Sequence, residues 1–223
     1  MQSQQGNVLS IAVSGLRGTG RTSLYQQLKL VLPKDYSLRE CDFAFLGNPF
    51  DHLKHPILWA QHKKHGVSRL HECWGMLTDF TEDEWLPALQ AGKIPVMDGC
   101  GLDALLYATA CIGCKNDDAK VMEYHREWVQ DRIVKQGISP PVYLITRADP
   151  KGIVRYLTRT VPSFTTDDAR AFIEKERTMI AKYFEDGSGQ HSPHYLEPTL
   201  STGAMVAESV AYIRRRIPIK AVA

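Results

Sequence analysis

No stretch of this 223-residue chain reaches the roughly 18 consecutive apolar residues that a membrane-crossing helix requires, so no membrane partner is expected. An excess of charge of one sign is also missing. The 27 Lys and Arg against 25 Asp and Glu leave a net charge of +2, which argues against a strongly basic protein although the charge is unevenly spread. Cysteine is sparse: five residues form an odd set without framework spacing, which excludes a disulfide scaffold and fits a reducing cytoplasm. Cys111-Ile112-Gly113-Cys114 is a lone C-x-x-C. A zinc site would need two more ligands, with Cys100 and a histidine the conceivable ones, and two incidental thiols are the preferred reading. The opening Met1-Gln2-Ser3-Gln4-Gln5-Gly6-Asn7 has no charged segment followed by an apolar one, so a signal peptide is not expected. Internal repeats and low-complexity tracts are absent as well.

What remains is an ordinary globular composition, 43% hydrophobic and 23% charged, read as one domain over residues 1–223 with room for a full core. Its most informative segment is Ser14-Gly15-Leu16-Arg17-Gly18-Thr19-Gly20-Arg21-Thr22-Ser23. This reads G-x-x-x-x-G-[K/R]-T, a phosphate-binding loop with arginine where lysine is usual. It follows the apolar run Val8 to Val13 and precedes the helix-like Leu24 to Leu32, the strand–loop–helix setting that the motif needs. Glycines let backbone N–H groups turn inward onto phosphate oxygens, and the helix N-terminus adds partial positive charge. Thr22 would offer its hydroxyl to Mg²⁺. The alternative is a glycine-rich turn with no ligand. Arginine keeps the charge but changes its shape, because a planar fork cannot enter the β/γ-phosphate pocket as a compact ammonium does. Either Arg21 holds the phosphates differently or donor binding is weakened.

Five short apolar or β-branched runs alternate with helical patterns: Val8–Ser14, Tyr36–Glu40, Ile94–Asp98, Val142–Thr146 and a weaker one at His194–Leu196. Parallel strands buried on both faces look like this. Helical patterns fall at Ser23–Leu32, His52–Lys64, Ser68–Gln90, Leu102–Cys111, Ala119–Gln136, Lys151–Arg159, Thr166–Phe184 and Gly203–Arg216. Thr81-Glu82-Asp83-Glu84 reads as a helix start with acids in its first turn. Pro140-Pro141 ends one helix and Asp149-Pro150 opens another. The pattern predicts a doubly wound α/β domain, a five-stranded parallel sheet with helices on both faces. Ligands of such sheets gather at the carboxyl ends of the strands. A short lid over about 159–170 is expected, since Thr160-Val161-Pro162-Ser163-Phe164-Thr165 is polar and broken by proline.

Asp98 ends the third strand, where a carboxylate can hold Mg²⁺ or accept a proton from an attacking hydroxyl; the alternative is a cap for the following helix. Glu40 ends the second strand with Asp42 close by, suiting a general base beside a metal, or else an exposed acidic loop. Arg155 and Arg159, one helical turn apart, would neutralise a phosphoryl group in flight, or else form a solvated face. Lys54, His55, His62, Lys63, Lys64, His65, Arg69 and His71 make a basic region with Trp59 and Trp74 interleaved. That region suits a polyanion with an aromatic for base stacking, the commoner reading being a solvated helix with Trp59 in the core. Arg214-Arg215-Arg216 closes the last helix, where cations suit the dipole.

Taken in order, these segments resemble the thymidylate-kinase-like P-loop nucleotide kinases almost end to end. The loop at Ser14–Ser23 lies over the family's E-G-x-D-G-x-G-K-[ST]-T, and Arg39-Glu40 over its R-E-P, with Cys41 replacing proline. Thr78-Asp79-Phe80 stands at the family's A-D-R, and Pro87-Ala88-Leu89-Gln90-Ala91-Gly92 at its P-A-L-x-x-G. Asp98-Gly99-Cys100 and Tyr107 fall on D-R-Y and a later tyrosine, and Leu144 to Asp149-Pro150 resembles L-x-x-D-P with one extra residue. The lid and its helix correspond to Arg159 through Tyr183.

The resemblance implies an ATP-dependent kinase using Mg²⁺. Gly15, Leu16, Arg17, Gly18, Thr19, Gly20, Arg21, Thr22 and Ser23 would bind the donor phosphates, Thr22 and Asp98 the metal. Glu40, Asp98, Arg21, Arg155 and Arg159 would carry the chemistry. Two acceptor-side arginines of the family are Phe80 and Gly99 here, and losing them weakens the case for a phosphate monoester as acceptor. Glu40 stands where related deoxynucleoside kinases place the base that deprotonates a hydroxyl. The expectation is therefore phosphorylation of a pyrimidine deoxynucleotide hydroxyl, most specifically 5-hydroxymethyldeoxyuridine in DNA, as phage DNA-modification kinases do. A flipped or single-stranded base is then required. The alternatives are a thymidylate-type monophosphate kinase and a non-catalytic nucleotide-binding module. A cytoplasmic location (host cytoplasm if phage-encoded) and a homodimer complete what the resemblance implies.

Overall fold

Alternation along the strands decides which helices pack where. The computed structural model describes residues 10–15, 19–40, 74–109, 118–147, 149–160, 165–185, 193–197 and 201–217. It contains strands β1 (Ile11–Gly15), β2 (Tyr36–Glu40), β3 (Ile94–Asp98), β4 (Val142–Thr146) and β5 (His194–Leu196). All are parallel, in the order β2-β3-β1-β4-β5. The helices are α1 (Arg21–Val31), α2 (residues 74–90), α3 (Gly101–Thr109), α4 (Asp118–Arg132), α5 (Pro150–Thr160), α6 (Thr166–Glu185) and α7 (Thr202–Arg216). The five-stranded doubly wound sheet read from the sequence is thus the observed one.

Ile11, Val13, Val96, Val142 and Leu144 point to one face and meet Leu24, Tyr25 and Leu28 of α1 and Met205, Tyr212 and Ile213 of α7. Ala12, Met97, Tyr143 and Ile145 point to the other, against Leu77 and Trp85 of α2, Leu102 and Leu105 of α3, Val129 of α4 and Met179 and Tyr183 of α6. Because successive strand residues alternate in direction, one run of apolar residues supplies both layers. Removing one such side chain, Leu28→Ala for example, costs about 2–5 kcal/mol by lost transfer and cavity terms.

Two expectations need correction. Thr81-Glu82-Asp83-Glu84 does not start a helix: Thr81–Trp85 is a π-helical segment inside α2, followed by the regular turn Leu86–Gln90. The Thr81 hydroxyl donates to the Leu77 carbonyl at 2.6 Å instead of capping, and Pro87 has no N–H to return to the preceding turn. Trp74 is core rather than a stacking platform, being 7% exposed. Of the expected lid, 159–160 end α5 and 166–170 begin α6, while 161–164 lie outside the described residues. The helix expected at His52–Lys64, Trp59, Asp42, the basic region from Lys54 to His71 and the C-x-x-C pair also lie outside them.

Candidate active site

β1 lies where the strand order reverses, with β3 on one side and β4 on the other, so a crevice opens at its carboxyl end. Gly15 ends β1 with φ +142°, and a Cβ there would collide with the side-chain and carbonyl oxygens of Thr146. Only glycine fits. Thr146 donates to the Ser14 carbonyl (3.3 Å), and the Thr19 and Thr146 hydroxyls lie 2.5 Å apart. With the Thr146 proton committed to Ser14, Thr19 is the donor between them. The two ends of the loop are thereby tied to β4. Gly20 then adopts φ +86° at the N-cap of α1, without a side-chain cap and with no acid in the first turn. An uncapped N-terminus of this kind attracts an anion, with Thr22 and Ser23 exposed beside it. Leu16, Arg17 and Gly18 lie outside the described residues.

Arg21 reaches across to β3 and α3. Its Nε lies 2.9 Å from Asp98 Oδ1 and its Nη1 2.7 Å from Asp103 Oδ1. The arginine side chain keeps 32% exposure, while Asp98 and Asp103 keep 10% and 6%. Asp103 also accepts from the Ser14 hydroxyl (3.0 Å) and the Cys100 N–H (2.9 Å). Burial pushes the Asp103 carboxyl up, against the pull of Arg21 and these two donors. Burial works against the Arg21 charge, but Asp103 and Asp98 outweigh it and hold its pKa above the usual arginine value. The group stays charged. Asp103 caps the start of α3 by accepting from the Cys100 N–H.

Glu40 pairs in register with Asp98 across β2 and β3, so both acid positions stand on adjacent strands at the same level. Beside Glu40, Arg39 Nε pairs with Glu84 Oε2 at 2.7 Å. Phe80 packs against the core. Gly99 turns with φ +87° and gives its N–H to the Val13 carbonyl. Cys100 is buried and its thiol is pushed up to about 12, chiefly by burial. Among the described residues no cluster of three or more His, Cys, Asp or Glu has metal-binding geometry.

Comparison with family models gives no match, and comparison with curated sequences gives none either. Among solved structures, deoxyadenosine kinase from M. mycoides with bound dATP is similar at a TM-score of 0.62 and 10% identity, over 92% of this chain and 100% of that one. The same kinase with products dCMP and a flexible dCDP gives 0.61 and 12%, over 93% and 100%. Thymidylate kinase from Ehrlichia chaffeensis gives 0.54 and 12%, over 92% and 98%. The fold is that of the P-loop nucleotide kinases.

In this P-loop kinase fold the structure brings Gly15, Thr19, Gly20, Arg21, Thr22 and Ser23 together with Asp98 at one crevice, and sets the backbone of Glu40 beside it. Arg155 and Arg159 lie exposed on α5, one helical turn apart. Arg155 lines a groove of about 470 Å³ between α5 and α6 with Lys151, Arg170, Arg177, Glu174 and an apolar floor that includes Ile173. Sequence reasoning missed Asp103, Thr146 and Glu84. For Asp103 alone a partial signal existed in the lysine-to-arginine exchange, since a half-buried guanidinium needs more than one acceptor, but it does not say where in the chain the acceptor lies.

Proposed function

We propose that the protein is an ATP- and Mg²⁺-dependent kinase acting on a hydroxyl of a pyrimidine deoxynucleotide, most specifically the hydroxymethyl group of 5-hydroxymethyldeoxyuridine in DNA. One observation carries the acceptor class: Arg39, the cation beside Glu40 at the carboxyl edge, is already paired with Glu84. With Phe80 and Gly99 at two other acceptor-side positions, the crevice suits a neutral hydroxyl better than a phosphate monoester. The similar solved structures are kinases of nucleosides and nucleotides, one with dATP bound.

The residues fit a triphosphate. The glycine cradle at Gly15, the open N-terminus of α1 and the hydroxyls of Thr22 and Ser23 would hold the donor phosphates, Leu16, Arg17 and Gly18 completing the loop. Thr22 would hold the metal. Asp98 would join it. Bound ATP supplies an electrophilic γ-phosphorus. Glu40 takes the proton of the acceptor hydroxyl as its oxygen bonds to that phosphorus and the bond to the β-phosphate bridge breaks, giving ADP. Arg155 or Arg159 steadies the transferred charge. The α5–α6 groove starts just after β4, at the same edge of the sheet, and its four cations against one acid suit a phosphodiester backbone.

Incubation with γ-labelled ATP and three acceptors tests this: dTMP, free 5-hydroxymethyldeoxyuridine and hydroxymethyluracil DNA. Label entering the DNA is expected. Label in dTMP alone would establish a monophosphate kinase instead, and label nowhere would leave a nucleotide-binding module.

A further inference from the structure

Arginine offers three nitrogens in one plane, and here two of them are fixed. Nη1 meets Asp103 and Nε meets Asp98, while Nη2 has no partner among the described residues. The two acids are not equivalent. Asp103 is the more enclosed, and its second oxygen is locked to the Cys100 N–H at the start of α3 while Ser14 donates to the first. It cannot move without breaking the entry to α3 and the end of β1. Arg21 must come to it. A lysine at position 21 would bring a single nitrogen within reach of a nearly buried carboxylate. Leaving that carboxylate for a phosphate would abandon an uncompensated charge out of water.

We infer that Asp103 is a positioning residue for the donor loop. It anchors one edge of the Arg21 guanidinium so that Nη2 is the nitrogen presented to the donor phosphates, and it makes arginine obligatory at this position. Arg21 and Asp103 are therefore one device: the fork satisfies a fixed internal acid and an incoming phosphate together, which an ammonium cannot do. This rests on the kinase reading above, because it needs a phosphate donor at the loop.

The test is a double-mutant cycle on the full chain with Mg²⁺ and ATP. ATP affinity is read by calorimetry, KM and kcat by turnover, and folding by thermal melting of the ligand-free proteins. Arg21→Lys is expected to weaken ATP binding tenfold or more and to raise KM more than it lowers kcat. Asp103→Asn in that background is expected to restore binding at least threefold, because the lysine is then free for the phosphates. If the asparagine variant does not melt cooperatively, Asp103→Ser in the same background gives the same reading. A double variant that binds ATP no better than Arg21→Lys alone overturns the inference while leaving the kinase intact. A wild-type chain that binds no ATP overturns both.

Discussion

His125 is wholly buried on α4, between the rings of Trp128 and Tyr183 at 6.0 and 5.4 Å. The Trp74 indole donates to its Nδ1 at 3.3 Å, so the neutral ring carries its proton on Nε2. That atom has no hydrogen-bond partner. The space for the ring depends on Gly101, whose added Cβ would lie 3.3 Å from the imidazole Cε1. Burial alone lowers its pKa from 6.5 to about 3. The unfolded chain therefore binds one proton more than the folded one between those two values. Stability from this group is complete above pH 6.5 and falls as the pH drops, by about 1.4 kcal/mol per unit until pH 3. Urea unfolding at pH 7 and pH 5 measures it. The wild type should lose about 2 kcal/mol more over that interval than His125→Phe, even though the variant starts weaker for want of the Trp74 acceptor. Equal losses would mean that His125 takes up its proton in the folded state.

At the scale of elements, α2 shows how a local irregularity sets the site. Its π segment inserts an extra residue into one turn, and Glu84 in that segment meets Arg39 on β2. Both partners are nearly half exposed, at 42% and 47%, so the pair contributes at most about 1 kcal/mol to folding. If the acceptor sits beside Glu40, as proposed, the pair matters more for binding than for folding, because it occupies the neighbouring cation. Glu84→Gln should leave the melting temperature within a few degrees of the wild type and strengthen dTMP binding about threefold or more, as measured by titration. Unchanged dTMP affinity would show that Arg39 never faces an acceptor phosphate. The strands were legible because a strand buried on both faces is apolar throughout, and Asp149-Pro150 announced α5: Asp149 accepts from the Gly152 N–H at 3.1 Å. The π segment was not legible. Thr81 followed by three acids resembles a cap, and only its bond to Leu77 shows the helix running on. Nor were the partners of Arg21 legible, since Asp103 lies 82 residues away and no local pattern reports such a meeting.

At the scale of the whole molecule, the carboxyl edge of the sheet carries the paired charges of the crevice, and the α5–α6 groove carries four cations against one acid. Among the described residues no helix is long and apolar enough to cross a membrane. Arg170 shares its charge with Asp167 at 3.4 Å in an exposed pair, which a phosphate can replace at little cost. Lys151, Arg155 and Arg177 line the same groove. If a DNA backbone lies along it, each contact releases counterions and steepens the dependence of affinity on salt. Replacing Lys151, Arg170 and Arg177 together by alanine removes up to three phosphate contacts while leaving Ile173 and the packed faces of both helices intact. The slope of log affinity against log salt should then become shallower by about 2 for single-stranded DNA and nearly 3 for duplex. Fluorescence anisotropy with labelled oligonucleotides across 50–200 mM salt, roughly the range where such losses are large, measures the change. A slope identical to the wild type would place the DNA elsewhere and make the groove's cations a solvated surface. A homodimer that covers this groove would likewise be incompatible with its holding DNA, so the oligomeric state in the anisotropy buffer, read by light scattering with and without oligonucleotide, bears on the same reading.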